Sequence, residues 1–209
     1  MTAAPQPAPA TPAEQRMEEL LAAVRRVFAE KGFDGASMQD LARGAGISVG
    51  NFYRYFPSKA AIVEALMTRD LLELDGQFAL VHAAPDPVQA ARQLFRIRIT
   101  EACLEDCQIW AEMTAAAMRK AELAEITRRM HHGVIGHLIR LFARATALPE
   151  DEAARRFRPQ AELILMLVKG SNLNHTASGP PGEDLIALLA SVVDRIVDDI
   201  LHSVPAAKG

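Results

Sequence analysis

The chain has 209 residues, half of them hydrophobic and 23% charged, with a formal net charge of −3. This length fits one ordinary domain or two small ones, and the composition excludes a disordered or fibrous protein. Because the whole chain is weakly acidic, a nucleic-acid site would have to be local, since Lys and Arg supply most of the affinity for phosphates.

The composition favours helices over strands. The chain holds 37 Ala and 22 Leu against 12 Val and 12 Ile, which predicts an all-α fold. We find neither a long uncharged apolar run nor a secretion-signal pattern, so we expect no membrane association and a cytoplasmic location. Cys103 and Cys107 are spaced for one face of a helix rather than for a disulfide framework, which fits a reducing compartment.

The first segments in chain order are a tail and a helix. Residues 1–13 are rich in Ala and Pro and are predicted to form a disordered tail. A periodic apolar pattern then runs from about residue 13 to Lys31. It ends at Gly32, a residue type that commonly closes a helix.

Two short helices follow. Ser37, with Asp40 three residues later, is close to a capping box and predicts a helix over residues 38–44. After a glycine-containing break, Ser48 can cap a third helix over residues 49–55. Two helices of about two turns each around a short turn predict a helix-turn-helix.

The remaining chain reads as further helices, without an internal repeat or a convincing strand. We expect a fourth helix from Ser58 towards Val81 and one long helical run through Cys103 to Met113. Three more are predicted over residues 123–142, 150–175 and 184–202.

The third predicted helix carries an unusual aromatic cluster. Both tyrosines of the chain and two of its eight phenylalanines lie within residues 52–56. Helical spacing assigns Phe52 and Phe56 to a core. It leaves four neighbours more exposed, as possible ligands of phosphates and bases: Asn51, Tyr53, Arg54 and Tyr55. The alternative is that the tyrosines merely cover the first helix.

Two further residues favour a binding surface here. Gly50 lies in the first turn of a short helix, where it costs about 1 kcal/mol relative to Ala and suggests close approach to a partner. Lys59 lies at the N-terminus of the fourth helix, where the helix dipole disfavours a positive side chain. A bound phosphate would make the positive charge favourable there. Residues 16–59 carry seven basic and five acidic side chains, whereas the rest of the chain is net acidic.

Residues 28–59, FAEKGFDGASMQDLARGAGISVGNFYRYFPSK, resemble the DNA-binding region of the TetR family of transcriptional regulators. The resemblance implies that the third helix recognises DNA. Asn51 is suited to adenine and Val49 to a thymine methyl, although many members have Lys or Arg where this chain has Val49. The candidate DNA contacts are Ser37, Ser48, Val49, Gly50, Asn51, Tyr53, Arg54, Tyr55 and Lys59.

The resemblance also implies a domain division and a function. Residues 14–60 would form a three-helix DNA-binding domain, and residues 61–209 a helical ligand-sensing and dimerisation domain. The implied function is a repressor that binds a palindromic operator as a homodimer and is released by a small apolar or aromatic effector. The apolar run over residues 163–168 and the apolar stripe of the last helix favour a partner subunit, with an intramolecular core as the alternative.

Large, adaptable side chains in the middle helices are candidates for the effector pocket, although each could equally serve core packing. They are Phe95, Cys107, Trp110, Met113, Met118 and Met166. Arg98 and Asn174 could add polar contacts, or lie on the surface.

The sequence offers no catalytic constellation, no metal site and no cofactor motif. His131, His132 and His137 lack the spacing of metal ligands and are expected on a solvated helix face. Two alternatives to the effector-controlled repressor remain. One is a DNA-binding protein of the same kind that is controlled by a protein partner, and the other is a helical enzyme.

Overall fold

The computed structural model describes residues 11–100 and 104–203, and within these ranges it contains nine helices and no strand. An all-α fold is therefore confirmed. The helices are α1 (Pro12–Gly35), α2 (Met38–Gly44), α3 (Val49–Tyr55), α4 (Lys59–Ala83), α5 (Pro87–Thr100), α6 (Leu104–Ala117), α7 (Ala121–Thr146), α8 (Glu150–Ser178) and α9 (Glu183–His202).

Helix α1 begins earlier than the predicted tail allows. Thr11 accepts a hydrogen bond from the Glu14 N–H at 3.3 Å, and the Glu14 carboxylate accepts from the Thr11 N–H at 2.7 Å. This capping box, with Pro12 at the first helical position, shows that the tail prediction is wrong for residues 11–13. Residues 1–10 lie outside the described residues. Near its end α1 breaks at Gly32, whose φ of 71° is left-handed.

Helices α2 and α3 have the predicted bounds and caps. Ser37 and Ser48 accept from the backbone N–H groups of Asp40 and Asn51 at 3.1 and 3.2 Å. Between the two helices, Gly46 takes a φ of 67°, which glycine adopts at little cost. The two helices form the predicted helix-turn-helix.

Two clusters of buried apolar side chains hold the fold together. The first joins α1, α2, α3 and the first half of α4 to Ile109 and Met113 of α6 and to the start of α7. The second joins the end of α4 to α5, the rest of α7, α8 and α9. Because α4 and α7 each contribute to both clusters, no single linker separates them.

The long helical run expected through the middle of the chain includes α5 and α6, and residues 101–103 between them lie outside the described residues. Cys103 lies outside the described residues, so its predicted shared face with Cys107 stays a prediction. Cys107 itself is buried. Across the described ranges, no helix is both long enough and apolar enough to cross a membrane.

Candidate nucleic-acid interface and ligand cavity

Helix α3 lies on the first cluster through its aromatic side. Phe52 and Phe56 are buried, with ring centroids 5.2 Å apart, as their spacing predicts. Tyr53 and Tyr55 are 48% and 39% exposed. Both tyrosines therefore keep more than a third of their surface accessible to a partner.

The outward side of α3 consists of side chains with unused hydrogen-bonding capacity. The side chains of Asn51, Tyr53 and Arg54 make no hydrogen bond within the described residues. Gly50 is exposed, and a Cβ atom added there would meet nothing within 4 Å. Internal packing therefore does not explain this glycine. Val49 is different, because it is half-buried against the first cluster.

Lys59 has an internal role that the sequence did not reveal. Its ammonium donates to the carbonyl oxygens of Phe33, Asp34 and Ala36, at 2.7, 3.3 and 3.0 Å. It also lies 4.8 Å from the centroid of the Phe33 ring. These contacts join the start of α4 to the end of α1. They account for a cation at a helix N-terminus without any phosphate, which corrects our argument for Lys59.

Ser37 is also committed to the fold. Its hydroxyl lies 2.5 Å from Asp40 Oδ2, inside the predicted capping box. Lys31 binds the other carboxylate oxygen of Asp40 at 2.6 Å, and together these contacts hold the pKa of Asp40 well below its ordinary value.

Helix α6 is tied to the break in α1 by polar contacts that sequence patterns did not suggest. The Phe33 N–H donates to Glu112 Oε2 at 2.8 Å. Asp34 is 2.7 Å from both Arg119 and Lys120, which lower the pKa of Asp34 to about 2. In the sequence, only the glycine at Gly32 and the acidic side chain of Asp34 point to a special role here. Neither residue indicates a contact with residues about 80 positions later in the chain.

A cavity of about 970 Å³ lies among α1, α4, α5, α6, α7 and α8. Of the predicted pocket residues, Phe95, Cys107 and Trp110 line it. Other apolar lining residues that the sequence did not single out include Leu21, Leu74, Phe78, Val134, Leu138 and Ile164. These residues look like ordinary core positions in the sequence, and only their convergence makes them a cavity wall.

Three predicted pocket residues lie elsewhere. Met113 is 1% exposed and packs in the first cluster, so it does not line the cavity. Met118 and Met166 are 85% and 65% exposed, on outer faces of the molecule. Of the two possible polar contacts, Arg98 lines the cavity and donates to Gln77 Oε1 at 2.8 Å, whereas Asn174 is exposed.

Most charged side chains of the cavity wall are paired with one another. Arg25 binds both Asp70 and Asp106, the latter at 2.8 Å, and Arg69 binds Glu18. Burial raises the pKa of Asp70 despite its ion pair. The Arg25–Asp70 pair compensates charge that burial would otherwise disfavour, whereas Arg69 and Glu18 remain about two-fifths exposed to solvent.

The expectation of a solvated histidine face is wrong for His137. Its side chain is buried, its Nε2 contacts Asp75, and its Nδ1 is 2.7 Å from Arg140. Its ring stacks on Phe78, with centroids 4.6 Å apart. Hydrogen bonds at both ring nitrogens make a buried histidine acceptable. Among the described residues, no group of three or more possible ligands could hold a metal ion.

The last two helices expose apolar side chains. Leu163, Met166 and Leu173 of α8 are exposed, as are Leu185 and Leu188 of α9. The predicted apolar stripe of α9, which consists of Leu185, Leu188, Leu189, Val192, Val193, Ile196 and Ile200, is thus divided, because Val193 and Ile200 are buried in the second cluster.

Comparison with known proteins agrees with this architecture. A family profile described as "Bacterial regulatory proteins, tetR family" matches residues 20–66, which hold the helix-turn-helix. A second profile, "BetI-type transcriptional repressor, C-terminal", matches residues 96–198.

Curated relatives carry regulator names. The repressor KstR of Rhodococcus jostii is 29% identical over 68% of this chain and 66% of its own. The regulator EthR of Mycolicibacterium smegmatis is 38% identical over 38% of each chain. The regulator UidR of Escherichia coli is 26% identical over 58% of this chain and 61% of its own. The chain thus spans less than two thirds of the length of each of these relatives.

Solved structures show the same fold. Salmonella enterica GusR has a TM-score of 0.71 at 22% identity, covering 90% of this chain and 98% of its own. The fatty acid degradation regulator FadR from Bacillus halodurans has a TM-score of 0.68 at 18% identity, covering 88% and 97%.

Proposed function

We propose that this chain is a ligand-responsive transcriptional repressor that acts in the cytoplasm. It belongs to the TetR family of transcriptional regulators, whose members bind DNA and act as dimers. Residues 14–60 bind DNA, and residues 61–209 sense a ligand and form the dimer. Two copies of α3 bind the two halves of a palindromic operator. A small molecule in the cavity releases the protein from this operator.

The outward side of α3 is the observation that carries this proposal. Its polar side chains have no internal partners, and Gly50 leaves open space on that side. A backbone that can be approached closely, beside free amide, phenol and guanidinium groups, suits a DNA groove and its phosphates.

The free groups divide into base contacts and phosphate contacts. The Asn51 amide can pair with adenine N6 and N7, and the exposed part of Val49 can meet a thymine methyl. Phosphates are bound by Ser48, Tyr53, Arg54 and Tyr55. Ser37 and Lys59 remain candidates for phosphate contacts at the edge of this surface. A phosphate would compete there with the internal hydrogen bonds that both side chains make.

Selection from a random duplex library, at physiological salt, tests DNA recognition. The wild-type protein should enrich a palindromic motif. Asn51→Ala should change the preferred base at one position of each half-site, at a cost of about 1–3 kcal/mol. Met118→Ala is a matched control on an exposed side chain remote from α3 in sequence, and it should enrich the wild-type motif. Failure of the wild-type protein to enrich any palindrome refutes the proposal.

The dimer forms through the exposed apolar side chains of α8 and α9. Leu188→Asp should therefore dissociate it at micromolar concentration, as measured by light scattering. Leu80→Asp is the control, since Leu80 is 75% exposed on α4, outside this surface. Val193, which belongs to the predicted apolar stripe of α9, is unsuitable for this test because it is buried within the same chain. A monomeric wild-type protein would contradict this part of the proposal.

Control by a protein partner is the remaining alternative. Anisotropy of labelled operator separates the two forms of control. Release by a small molecule, weakened by Trp110→Ala, supports the cavity. Release only by a partner protein supports the alternative. Release requires that the ligand bind one state more tightly than the other: shifting a population from 99:1 to 1:99 takes about 5.5 kcal/mol of differential affinity.

The enzyme alternative is not retained, because the family consists of regulators.

A further inference from the structure

Lys169 differs from the other charged side chains of the cavity wall. It lies on α8 and lines the cavity beside Trp110, whose ring centroid is 5.8 Å from its ammonium. Within the described residues, its ammonium has neither a hydrogen bond nor an ion pair. Burial lowers the pKa of Lys169.

The other charged groups of the wall have partners. Besides the pairs of Arg25 and Arg69, Glu19 binds Arg16 at 2.6 Å. Glu73 accepts from the Gln77 amide at 3.2 Å, and the same amide group accepts from Arg98. The carboxylates of the wall therefore all have partners. Two of its cations make no ion pair within the described residues, and of these Arg98 is bound to a neutral amide whereas Lys169 has no hydrogen bond.

A second unsatisfied group lies one turn further along α8. Asn172 also lines the cavity, and its buried Oδ1 has no hydrogen-bond partner. The N–H₂ group of the same amide makes no hydrogen bond within the described residues, so it can donate to a bound ligand. A buried polar atom without a partner is costly, so the amide of Asn172 is not fully satisfied by the protein itself.

The rest of the cavity is suited to an apolar body. Phe78, Phe95 and Leu138 line it on three different helices, and Trp110 adds a fourth apolar surface. A volume of about 970 Å³ lies near the upper end of the usual range for small-molecule sites, about 300–1,000 Å³.

We propose that the cavity binds an amphipathic carboxylate, with its apolar body among the aromatic and leucine side chains and its head against Lys169 and Asn172. The Lys169 ammonium donates hydrogen bonds to the carboxylate, which supplies the missing opposite charge in a poorly solvated site. That this carboxylate is the effector rests on the proposed function, in which a ligand in the cavity releases the protein from its operator.

Three probes with the same alkyl chain test the charge preference: dodecanoate, dodecan-1-ol and dodecyltrimethylammonium. Trp110 is the only tryptophan, so its fluorescence reports on occupancy. The wild-type protein should bind dodecanoate at least about ten-fold more tightly than the alcohol, and the ammonium compound most weakly.

Substitution identifies the side chain responsible. Lys169→Met keeps the length of the side chain and removes its charge, so the preference for dodecanoate should disappear while dodecan-1-ol binding persists. Lys169→Arg should retain the preference. Arg128→Met removes one positive charge from an exposed position of α7 outside the cavity, and should behave as the wild type. Urea unfolding checks that each variant is folded.

Several results would overturn the inference: no binding of dodecanoate, equal affinity for the alcohol, strongest binding of the ammonium compound, or an unchanged preference in Lys169→Met. Operator selection keeps the two proposals distinguishable. A protein that selects a palindrome but ignores the carboxylate refutes only the cavity assignment. A protein that prefers dodecanoate but selects no palindrome refutes only the repressor function.

Discussion

Helix α3 and the cavity wall use polar side chains in opposite ways. On α3, Asn51, Tyr53 and Arg54 all lack partners within the described residues, yet they are exposed or half-buried and so can bind water. In the cavity, Arg25 and Arg69 are both held in ion pairs, and Lys169 stands out as an exception.

The difference follows from solvation. Water satisfies an exposed polar group at little cost, so a DNA-binding surface can keep many groups free until the partner arrives. A group removed from water must be paired or lose free energy, so a cavity wall pairs nearly all of its charges. A single unpaired group therefore means more in the cavity than on α3.

The largest expected effect tests how tightly each region is packed. Phe52→Ala removes a fully buried ring under α3 and should lower the free energy of unfolding by about 3–5 kcal/mol. Trp110→Ala should cost less, because Trp110 is half-buried beside an existing cavity. Urea unfolding of both variants measures the difference. Equal losses would contradict this contrast in packing.

Lys59 tests whether a residue of the proposed DNA-binding surface can also be structural. Lys59→Met removes the bonds to three carbonyl oxygens and should lower the free energy of unfolding by about 1.5–3 kcal/mol. The dependence of operator affinity on salt gives an independent readout. A slope lowered by about one would show that Lys59 also contacts a phosphate, whereas an unchanged slope would show that its role is only structural. Wild-type stability in Lys59→Met would contradict that role.

Two glycines separate packing from binding within the helix-turn-helix. A Cβ atom at Gly44 would clash with Val27 Cγ2, so Gly44→Ala should destabilise the fold by about 1–3 kcal/mol. Gly50→Ala adds a methyl group to open space and should stabilise α3 by up to about 1 kcal/mol while weakening operator binding. Thermal unfolding and anisotropy measure the two effects. A Gly50→Ala protein with unchanged operator affinity would show that nothing approaches this position.

The smallest expected effect concerns the contact between α1 and α6. Asp34 has a pKa of about 2 in the folded chain, below the ordinary 3.8, because Lys120 and Arg119 bind it. A carboxyl whose pKa is depressed by folding adds stability above its ordinary pKa and loses it as pH falls through the folded value. Unfolding followed from pH 5 downwards should therefore show a shallower loss in Asp34→Asn, with Glu30→Gln as the control. Identical pH profiles would contradict the ion pairs.

The sequence by itself determined the helix-turn-helix and its chemistry. The caps at Ser37 and Ser48, the burial of Phe52 and Phe56 and the exposure of Tyr53 and Tyr55 all follow from local rules. Capping joins residues three apart, and helical periodicity sorts side chains within two turns. Such short-range features are encoded in a few consecutive residues, which is why they could be predicted.

Only the tertiary structure decided which side chains converge from distant segments. It buried Met113, exposed Met166, gave Lys59 three carbonyl partners and enclosed His137 between Asp75 and Arg140. Within the described residues, the same packing left Lys169 beside Trp110 in the cavity wall without a hydrogen bond or an ion pair. Periodicity gives the face of a helix but not the neighbour that covers it, because that neighbour depends on how helices far apart in the chain pack together.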